Sequence, residues 1–214
     1  VMQGVLTDPI ERLQFKLKHP GIRHFETAWP EIALPFATVA DAAYLARQSY
    51  RQFLEAPITL TQLGQLLNCL GPRFYPNRVF PKYRYGSAGS LYPVQSYLYI
   101  KPDRVTDLAG GFYYYHPLNH RLVLLSATAS ISQELHGGTN QIIFNQSAFS
   151  LFLVAEYQAI EPMYGARARD FCVLEAGYIS QLLMMEAPAY DLGLCPIGGM
   201  NFEPLRAEFG LSES

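Results

Sequence analysis

Apolar residues recur at helical spacing in four stretches of the main part of the chain. The clearest is Thr59–Leu70, where leucines fall on one face, a threonine can cap the first turn, and Gly71 and Pro72 end the pattern. The same spacing predicts three more helices: Val39–Tyr50, Ser126–His136 and Arg167–Leu192, the last ending near Gly193.

Alternating or short continuous apolar runs predict four strands: Val94–Ile100, Phe112–His116, Arg121–Leu125 and Ser147–Ala155. The loop 117–120 has the length of a hairpin connection. We expect the last strand to be buried. Helices followed by a strand meander, another strand and a long helix are typical of the α+β class.

The first 38 residues contain scattered prolines and little periodicity, so we expect an extended arm (1–38) before a main domain (39–214). One short helix is predicted in the arm, around Ile10–Lys16. The arm carries large apolar side chains that it cannot bury by itself, so they must lie on a second subunit or a preceding domain. These side chains are Phe15, Leu17, Phe25 and Trp29.

Composition narrows the class of protein. Half of the 214 residues are apolar and 16% are charged, which is typical of a folded domain. A net charge of −2 gives no electrostatic reason to expect nucleic acid, and no run is long enough for a membrane span or arranged like a secretory signal. Three widely spaced cysteines predict reduced thiols in a cytoplasmic protein, with no metal site. Because the chain begins with Val1, we interpret it as a domain of something longer.

Arg47–Arg51 is the first segment that carries candidate chemistry. It places two guanidinium groups and the Ser49 hydroxyl at a predicted helix end, where they can bind a phosphate. A solvated basic helix end is the alternative.

The second segment is Lys82–Pro93. Small residues at Gly86–Ser90 let the backbone approach a flat ligand, and Lys82 and Tyr83 place two titratable groups side by side, able to take or give a proton. A glycine-rich turn with aromatic packing is the alternative.

The third segment, Gly193–Gly199, has more glycines than the end of a helix requires. Its backbone N–H groups can bond a ligand acceptor, although a plain turn is equally compatible with the pattern.

The order of these segments, together with Gly177–Leu183 on the long helix, resembles the FMN-dependent nitroreductase-fold proteins. The string Tyr85–Pro93 is the most specific part, and the chain is most similar to the azoline-oxidase branch. That branch includes oxidase domains of nonribosomal peptide synthetases and dehydrogenases that mature azole-containing peptides. The resemblance runs from about Pro9 to Gly210.

The resemblance implies an α+β three-layer sandwich with an antiparallel-rich sheet. It also implies a homodimer with FMN at the interface. Lys82 and Tyr83 match a pair implicated in azoline oxidation. Family members commonly end in basic residues that bind phosphate. This sequence has only Arg206 late in the chain, so either the chain continues or Arg47 shares the phosphate with Arg167 or Arg169. The residues assigned to the cofactor are Arg47, Gln48, Ser49, Arg51, Ser87, Ala88, Gly89, Ser90, Pro196, Ile197, Gly198 and Gly199.

The function implied is oxidation of a thiazoline or oxazoline, bound to a carrier protein or a peptide, to the aromatic azole. Tyr83 is the candidate base, Lys82 lowers its pKa or stabilises developing charge, and FMN accepts the hydride and is reoxidised by O₂. Neighbouring synthetase domains are the expected partners. Three alternatives stay open: an oxidase of another bond, such as Cα–Cβ of a tethered aminoacyl group; an NAD(P)H-dependent nitro or quinone reductase; and a docking module without catalysis.

Overall fold

The computed structural model describes residues 5–19, 21–23, 26–27, 29–36 and 42–211. The chain divides into two compact units, Val1–Val39 and Ala40–Ser214. The first contains helix α1 (Pro9–Lys18), which confirms the predicted short helix. Asp8 caps α1, because its carboxylate accepts hydrogen bonds from the backbone N–H groups of Ile10 and Glu11, both at 2.9 Å. The apolar side chains of Phe15, Leu17 and Trp29 are exposed, and Phe25 lies outside the described residues.

The second unit contains the remaining helices and all the described strands. The helices are α2 (Ala42–Ala46), α3 (Leu60–Leu67), α4 (Asn140–Gln146), α5 (Glu161–Tyr164) and α6 (Ala168–Glu186). The strands are β1 (Ile58–Thr59), β2 (Val94–Ile100), β3 (Val105–Thr106), β4 (Gly111–His116), β5 (Arg121–Ser126) and β6 (Phe149–Ala155).

Four strands form an antiparallel sheet in the order β5-β4-β2-β6, and β1 pairs with β3 in a short parallel ladder. Leu98 of β2 lies opposite Tyr113 of β4 on one side and Leu151 of β6 on the other. Helices and an antiparallel sheet in one unit confirm the predicted α+β class.

Apolar clusters cover both faces of this sheet, as the alternation of side chains along a strand requires. On one face, Leu98 and Tyr115 pack with the leucines of α3 and with Ile179 of α6. On the other face, Tyr99 and Phe112 pack with a cluster that includes Phe144 and Phe209. The sheet therefore lies between two apolar layers.

Helix α3 forms where its leucine spacing predicts. Thr59 accepts a hydrogen bond from the N–H of Gln62 at 3.1 Å, and Gln62 accepts one from the N–H of Thr59 at 2.9 Å. This capping box satisfies two backbone donors that a helix start leaves unpaired, and Leu63, Leu66 and Leu67 are then buried.

Four predicted elements need correction. The helix predicted at Val39–Tyr50 covers only Ala42–Ala46 of the described residues, and residues 37–41 lie outside them. The helix predicted at Ser126–His136 is wrong: β5 runs through Ser126, and a 3-10 turn at Gln133–Leu135 follows, which the Ser132 hydroxyl caps.

The other two corrections concern β6 and α6. Strand β6 begins at Phe149 and is half-buried, because β2 covers one of its edges and a groove opens along it. Helix α6 ends at Glu186, because Pro188 falls in a 3-10 turn, Ala187–Tyr190, that replaces its predicted last turn.

Within the described residues, no helix has the length and apolar character needed to cross a membrane.

Candidate functional site

The first and third segments meet in the structure. The backbone N–H of Tyr50 donates to the carbonyl oxygen of Leu194 at 3.0 Å. A Cβ built on Gly193 would lie 2.7 Å from Cγ of Tyr50, so the two segments pack too closely to leave room for a side chain at that glycine. Gly193 therefore does more than end a helix.

These two segments line a groove of about 2000 Å³. Strand β6 forms one side of it, Leu183 and Met184 of α6 contribute another, and Tyr50 and residues 191–197 border it. Within the described residues β6 pairs with β2 alone, so its second backbone edge faces this space.

Three consecutive backbone N–H groups begin at Ile197, which lines this groove. The N–H groups of Ile197, Gly198 and Gly199 donate to no group in the described part of the chain. A Cβ built on Gly198 or Gly199 would meet no atom within 4 Å. Packing in the single chain therefore explains neither glycine, and both the free N–H groups and the open space fit close approach of a ligand that accepts hydrogen bonds.

The structure does not form the helix face expected for Arg47 and Arg51. Helix α2 ends at Ala46, and residues 47–51 are not helical, so the two guanidinium groups are not one helical turn apart. Arg51 donates to the carbonyl oxygen of Ser49 at 3.1 Å. Arg47 and Ser49 are half-buried, whereas Gln48 and Arg51 are exposed.

Of the other basic residues considered for phosphate, Arg206 borders the groove and forms an ion pair with Glu203 at 3.8 Å. Arg167 and Arg169 are exposed at the start of α6.

The second segment forms a strained turn. Ser87 accepts a hydrogen bond from the N–H of Tyr92 at 2.8 Å and so closes the loop. Gly89, Ser90 and Tyr92 all have left-handed backbone angles, with φ of 60°, 58° and 50°. A left-handed conformation costs a residue with a side chain roughly 1 kcal/mol or more, and such strain concentrates at functional sites.

A buried carboxylate on α6 holds this turn against the sheet. Glu175 is 1% exposed, and its Oε1 accepts a hydrogen bond from the N–H of Val94 at 3.1 Å. Burial raises the pKa of Glu175, while the interactions with Ser87 and with the Val94 N–H lower it and so offset part of that effect. The second oxygen, Oε2, is buried and has no hydrogen-bond partner of normal geometry among the described residues.

Tyr83 belongs to a cluster of three tyrosines, together with Tyr85 and Tyr92. Its ring centroid lies 4.0 Å from that of Tyr92 and 5.5 Å from that of Tyr85. Burial raises the pKa of Tyr83, and Tyr92, Tyr114 and Glu175 raise it further. Burial and these neighbours therefore disfavour the phenolate form of Tyr83.

Lys82 is exposed, and its backbone pairs with that of Arg73. Since the groups that shift the pKa of Tyr83 all raise it, this geometry favours charge stabilisation over pKa lowering as the role of Lys82.

The second segment borders a cavity of its own, of about 370 Å³. Lys82, Tyr85, Ser87, Ser90 and Tyr92 line it. The structure thus brings Tyr50 together with residues 193–197 in the groove, and Lys82 together with the Ser87–Ser90 turn at this cavity. Among the described residues, the groove and the cavity share no lining residue.

Glu175 was not among the site residues predicted from the sequence. A signal for Glu175 was present: it lies three residues after Cys172 and four before Ile179, and all three are buried on one face of α6. A carboxylate on an apolar helix face indicates a buried, hydrogen-bonded group.

Comparison with known proteins places the chain in a family. The group described as the Nitroreductase family matches residues 44–214. The chain belongs to the nitroreductase family. Among the described residues of this family member, no group of His, Cys, Asp or Glu is arranged to hold a metal ion.

Two curated relatives of this nitroreductase-family chain are called indigoidine synthase. The protein of Dickeya dadantii (strain 3937) is 33% identical over 150 residues, and that of Streptomyces lavendulae is 30% identical over 142. These matches cover 69% and 65% of the chain but 9% and 10% of the relatives, so the chain spans about a tenth of their length.

Solved structures confirm the nitroreductase-like fold. The E. coli microcin synthetase McbBCD complex with truncated pro-MccB17 bound has a TM-score of 0.69 at 17% identity, over 99% of this chain and 79% of that one. A putative nitroreductase from Ralstonia eutropha JMP134 has a TM-score of 0.62 at 22% identity, over 86% of this chain and 81% of that one.

Proposed function

We propose that this chain is the FMN-dependent oxidase domain of a cytoplasmic synthetase and converts a carrier- or peptide-bound thiazoline or oxazoline into the azole. The observation that carries the proposal is the run of three N–H groups, Ile197–Gly199, which have no acceptor among the described residues and which begin at a residue that lines the open groove. A reduced isoalloxazine gains negative charge, and fixed backbone donors stabilise such charge without reorganising.

The residues around the groove fit FMN. Ile197, Gly198 and Gly199 supply donors for the polar edge of the ring, and the space at the glycines lets a flat ring approach. Arg206 borders the same groove, and Arg47 lies three residues before Tyr50, which also borders it, so we propose either arginine as the ligand of the phosphate. When bound, FMN would supply the two-electron acceptor, which O₂ regenerates with formation of peroxide.

The chain's own residues would handle the proton and the charge. Oxidation of an azoline to the aromatic azole removes a hydride and a proton from adjacent ring atoms, so a base must take that proton. Tyr83 is half-buried next to the cavity and is our candidate for this transfer. Lys82, at the cavity wall, would stabilise the charge that develops on the phenol or on the substrate.

A homodimer is part of the proposal, with FMN at the interface and each protomer supplying different segments. Two observations support it. Among the described residues, the groove and the Lys82 cavity share no lining residue, and no strand pairs with the second backbone edge of β6, which a second chain can cover.

A second candidate function is oxidation of another bond, such as Cα–Cβ of an aminoacyl group on a carrier. It is favoured by the two curated relatives, because both are named for indigoidine and neither name refers to an azole. The same residues would serve, since this reaction also removes a hydride and a proton from adjacent atoms.

The first test is a visible absorption spectrum of the purified protein, followed by acid release of the chromophore. We expect flavin bands, released FMN, and turnover of a thiazoline thioester with consumption of O₂. Activity on a tethered aminoacyl group alone supports the second candidate, and bleaching by NAD(P)H with nitro reduction supports a reductase. A colourless protein that cannot be reloaded with FMN would overturn the oxidase proposal.

A further inference from the structure

The segment between α3 and the Ser87–Ser90 turn forms a closed loop, Arg73–Lys82, which we name the basic loop. The N–H of Arg73 donates to the carbonyl oxygen of Lys82 at 2.7 Å, and the N–H of Lys82 donates back at 2.8 Å. At the tip, the N–H of Arg78 donates to the carbonyl oxygen of Tyr75 at 3.0 Å. The loop is thus held at its base and turned at its tip.

Four large apolar side chains of the basic loop face solvent. Phe74 is 71% exposed, Tyr75 51%, Val79 91% and Phe80 68%. Single exposed apolar residues are ordinary on protein surfaces, but four within a short loop form a patch of the kind that marks interaction sites.

The charge of this region is entirely positive. Residues 71–93 contain four of the 16 Lys and Arg residues and none of the 18 acidic ones, although the whole chain carries −2. The side chains of Arg73, Arg78 and Lys82 are exposed, whereas Arg84 forms an ion pair with Glu186 at 3.8 Å. Such a patch complements an acidic partner. A second copy of this chain, with a net charge of only −2, complements it less well.

The basic loop also forms one wall of the cavity that contains Lys82. Arg78, Val79 and Phe80 line the cavity of about 370 Å³ from the loop side, and the Tyr85–Tyr92 stretch lines it from the other. A partner that binds the outer face of the loop therefore lies within reach of the cavity, and a flexible arm on that partner could enter it.

We propose that the basic loop is the docking surface for an acidic carrier domain, which delivers its tethered substrate to the cavity behind the loop. This rests on the proposed function in that the substrate is carrier-bound. The apolar side chains bury against the carrier, and the arginines attract and orient it.

The test compares two forms of one substrate: an azoline thioester on an acidic carrier domain, and the same azoline as a small soluble thioester. The variants are Arg73→Glu, Phe74→Ser and their combination, because neither side chain lines the cavity. Arg121→Glu, an exposed arginine on β5, is the matched control. We expect the double variant to raise KM for the carrier-bound form about tenfold and to leave kinetics with the soluble form unchanged.

Two further measurements separate this proposal from the proposed function. Binding of the carrier domain by fluorescence anisotropy needs no turnover, and we expect it to weaken in the variants, to weaken with salt in the unmodified protein, and to be unaffected by Arg121→Glu. If neither substrate form is oxidised, the proposed function fails while anisotropy still decides docking.

Three results would overturn the docking proposal. Unchanged carrier binding in the double variant shows that the partner binds elsewhere. Equal losses with both substrate forms show that the loop serves catalysis or folding. Dissociation of the homodimer in the variants, measured by sedimentation, shows that a second copy covers the loop.

Discussion

Glu175 is a buried carboxylate that influences the pKa of Tyr83, the candidate base. A carboxylate that is 1% exposed costs free energy unless its partners compensate, and here the Val94 N–H and Ser87 do so, while Oε2 has no hydrogen-bond partner of normal geometry among the described residues. Glu175 also acts on two residues of the second segment: its carboxylate interacts with Ser87 of the strained turn, and its negative charge helps to raise the pKa of Tyr83.

We expect Glu175→Gln to lower the pKa of Tyr83. The substitution keeps an oxygen that can accept from Val94 but removes the negative charge that disfavours a phenolate. Ultraviolet phenolate titration, compared with a Tyr83→Phe background, measures the change. Glu186→Gln on the same helix is the control and should leave the titration of Tyr83 unchanged. An unaltered Tyr83 pKa in Glu175→Gln would show that the carboxylate serves only to hold the turn.

Tyr83→Phe and Lys82→Ala test the proposed proton transfer. Because burial and its neighbours raise the pKa of Tyr83, a reaction that needs the phenolate should speed up as pH rises through alkaline values. We expect Tyr83→Phe to abolish that rise and lower kcat about 10²-fold or more, with FMN still bound. Lys82→Ala should lower kcat across the whole range. Full turnover of both variants with FMN bound would contradict the catalytic assignment.

At the scale of elements, the tight packing of Gly193 on Tyr50 predicts that alanine is destabilising at Gly193 but not at Gly198, in the same segment. Gly193→Ala places a methyl group 2.7 Å from the Tyr50 ring, so we expect a loss of about 1–3 kcal/mol in the free energy of unfolding, measured by urea denaturation. Gly198→Ala is the matched control, because its Cβ meets no atom within 4 Å. The Gly198→Ala variant should keep the free energy of unfolding of the unmodified protein but bind FMN more weakly. Equal stability of the two variants would show that Tyr50 moves aside freely.

Elements with a strong local pattern could be predicted from sequence. Helix α3 formed where its leucines and capping threonine predict it, and the strand meander followed its alternation. Helix α4 was not predicted, because Asn140–Gln146 is rich in amides and only Ile143 and Phe144 are buried. The helix predicted at Ser126–His136 failed for a related reason: it carries few apolar residues, so small polar residues decided its local structure.

The three segments of the candidate site were predicted from the sequence, but the contacts between their residues were not. That Tyr50 bonds to Leu194 depends on packing across 144 residues of chain, which no local pattern records. The tyrosine cluster likewise requires the turn at Ser87–Ser90 to bring Tyr92 back onto Tyr83. The residue types were visible in the sequence, whereas their distances are a property of the tertiary structure.

At the scale of the whole molecule, the separation of the groove from the Lys82 cavity bears on how a complete site forms. One protomer contains both sets of residues, on different cavities. If the proposed homodimer has the groove of each protomer at its interface, two chains can complete two equivalent sites.

This arrangement predicts that two inactive variants restore each other. Arg47→Ala, which removes a candidate phosphate ligand, and Lys82→Ala each disable both sites of a homodimer. If those residues come from different protomers, a mixed dimer has one site with both native residues and one with neither. After random subunit exchange of equal amounts, half of the dimers are mixed, so we expect about a quarter of the native activity to return.

A mixture of Lys82→Ala with Tyr83→Phe is the control, because adjacent residues enter the same site and no intact site can form. If the first mixture stays as inactive as the control although native mass spectrometry shows mixed dimers, each site is built within a single protomer, and the groove and the cavity serve different steps.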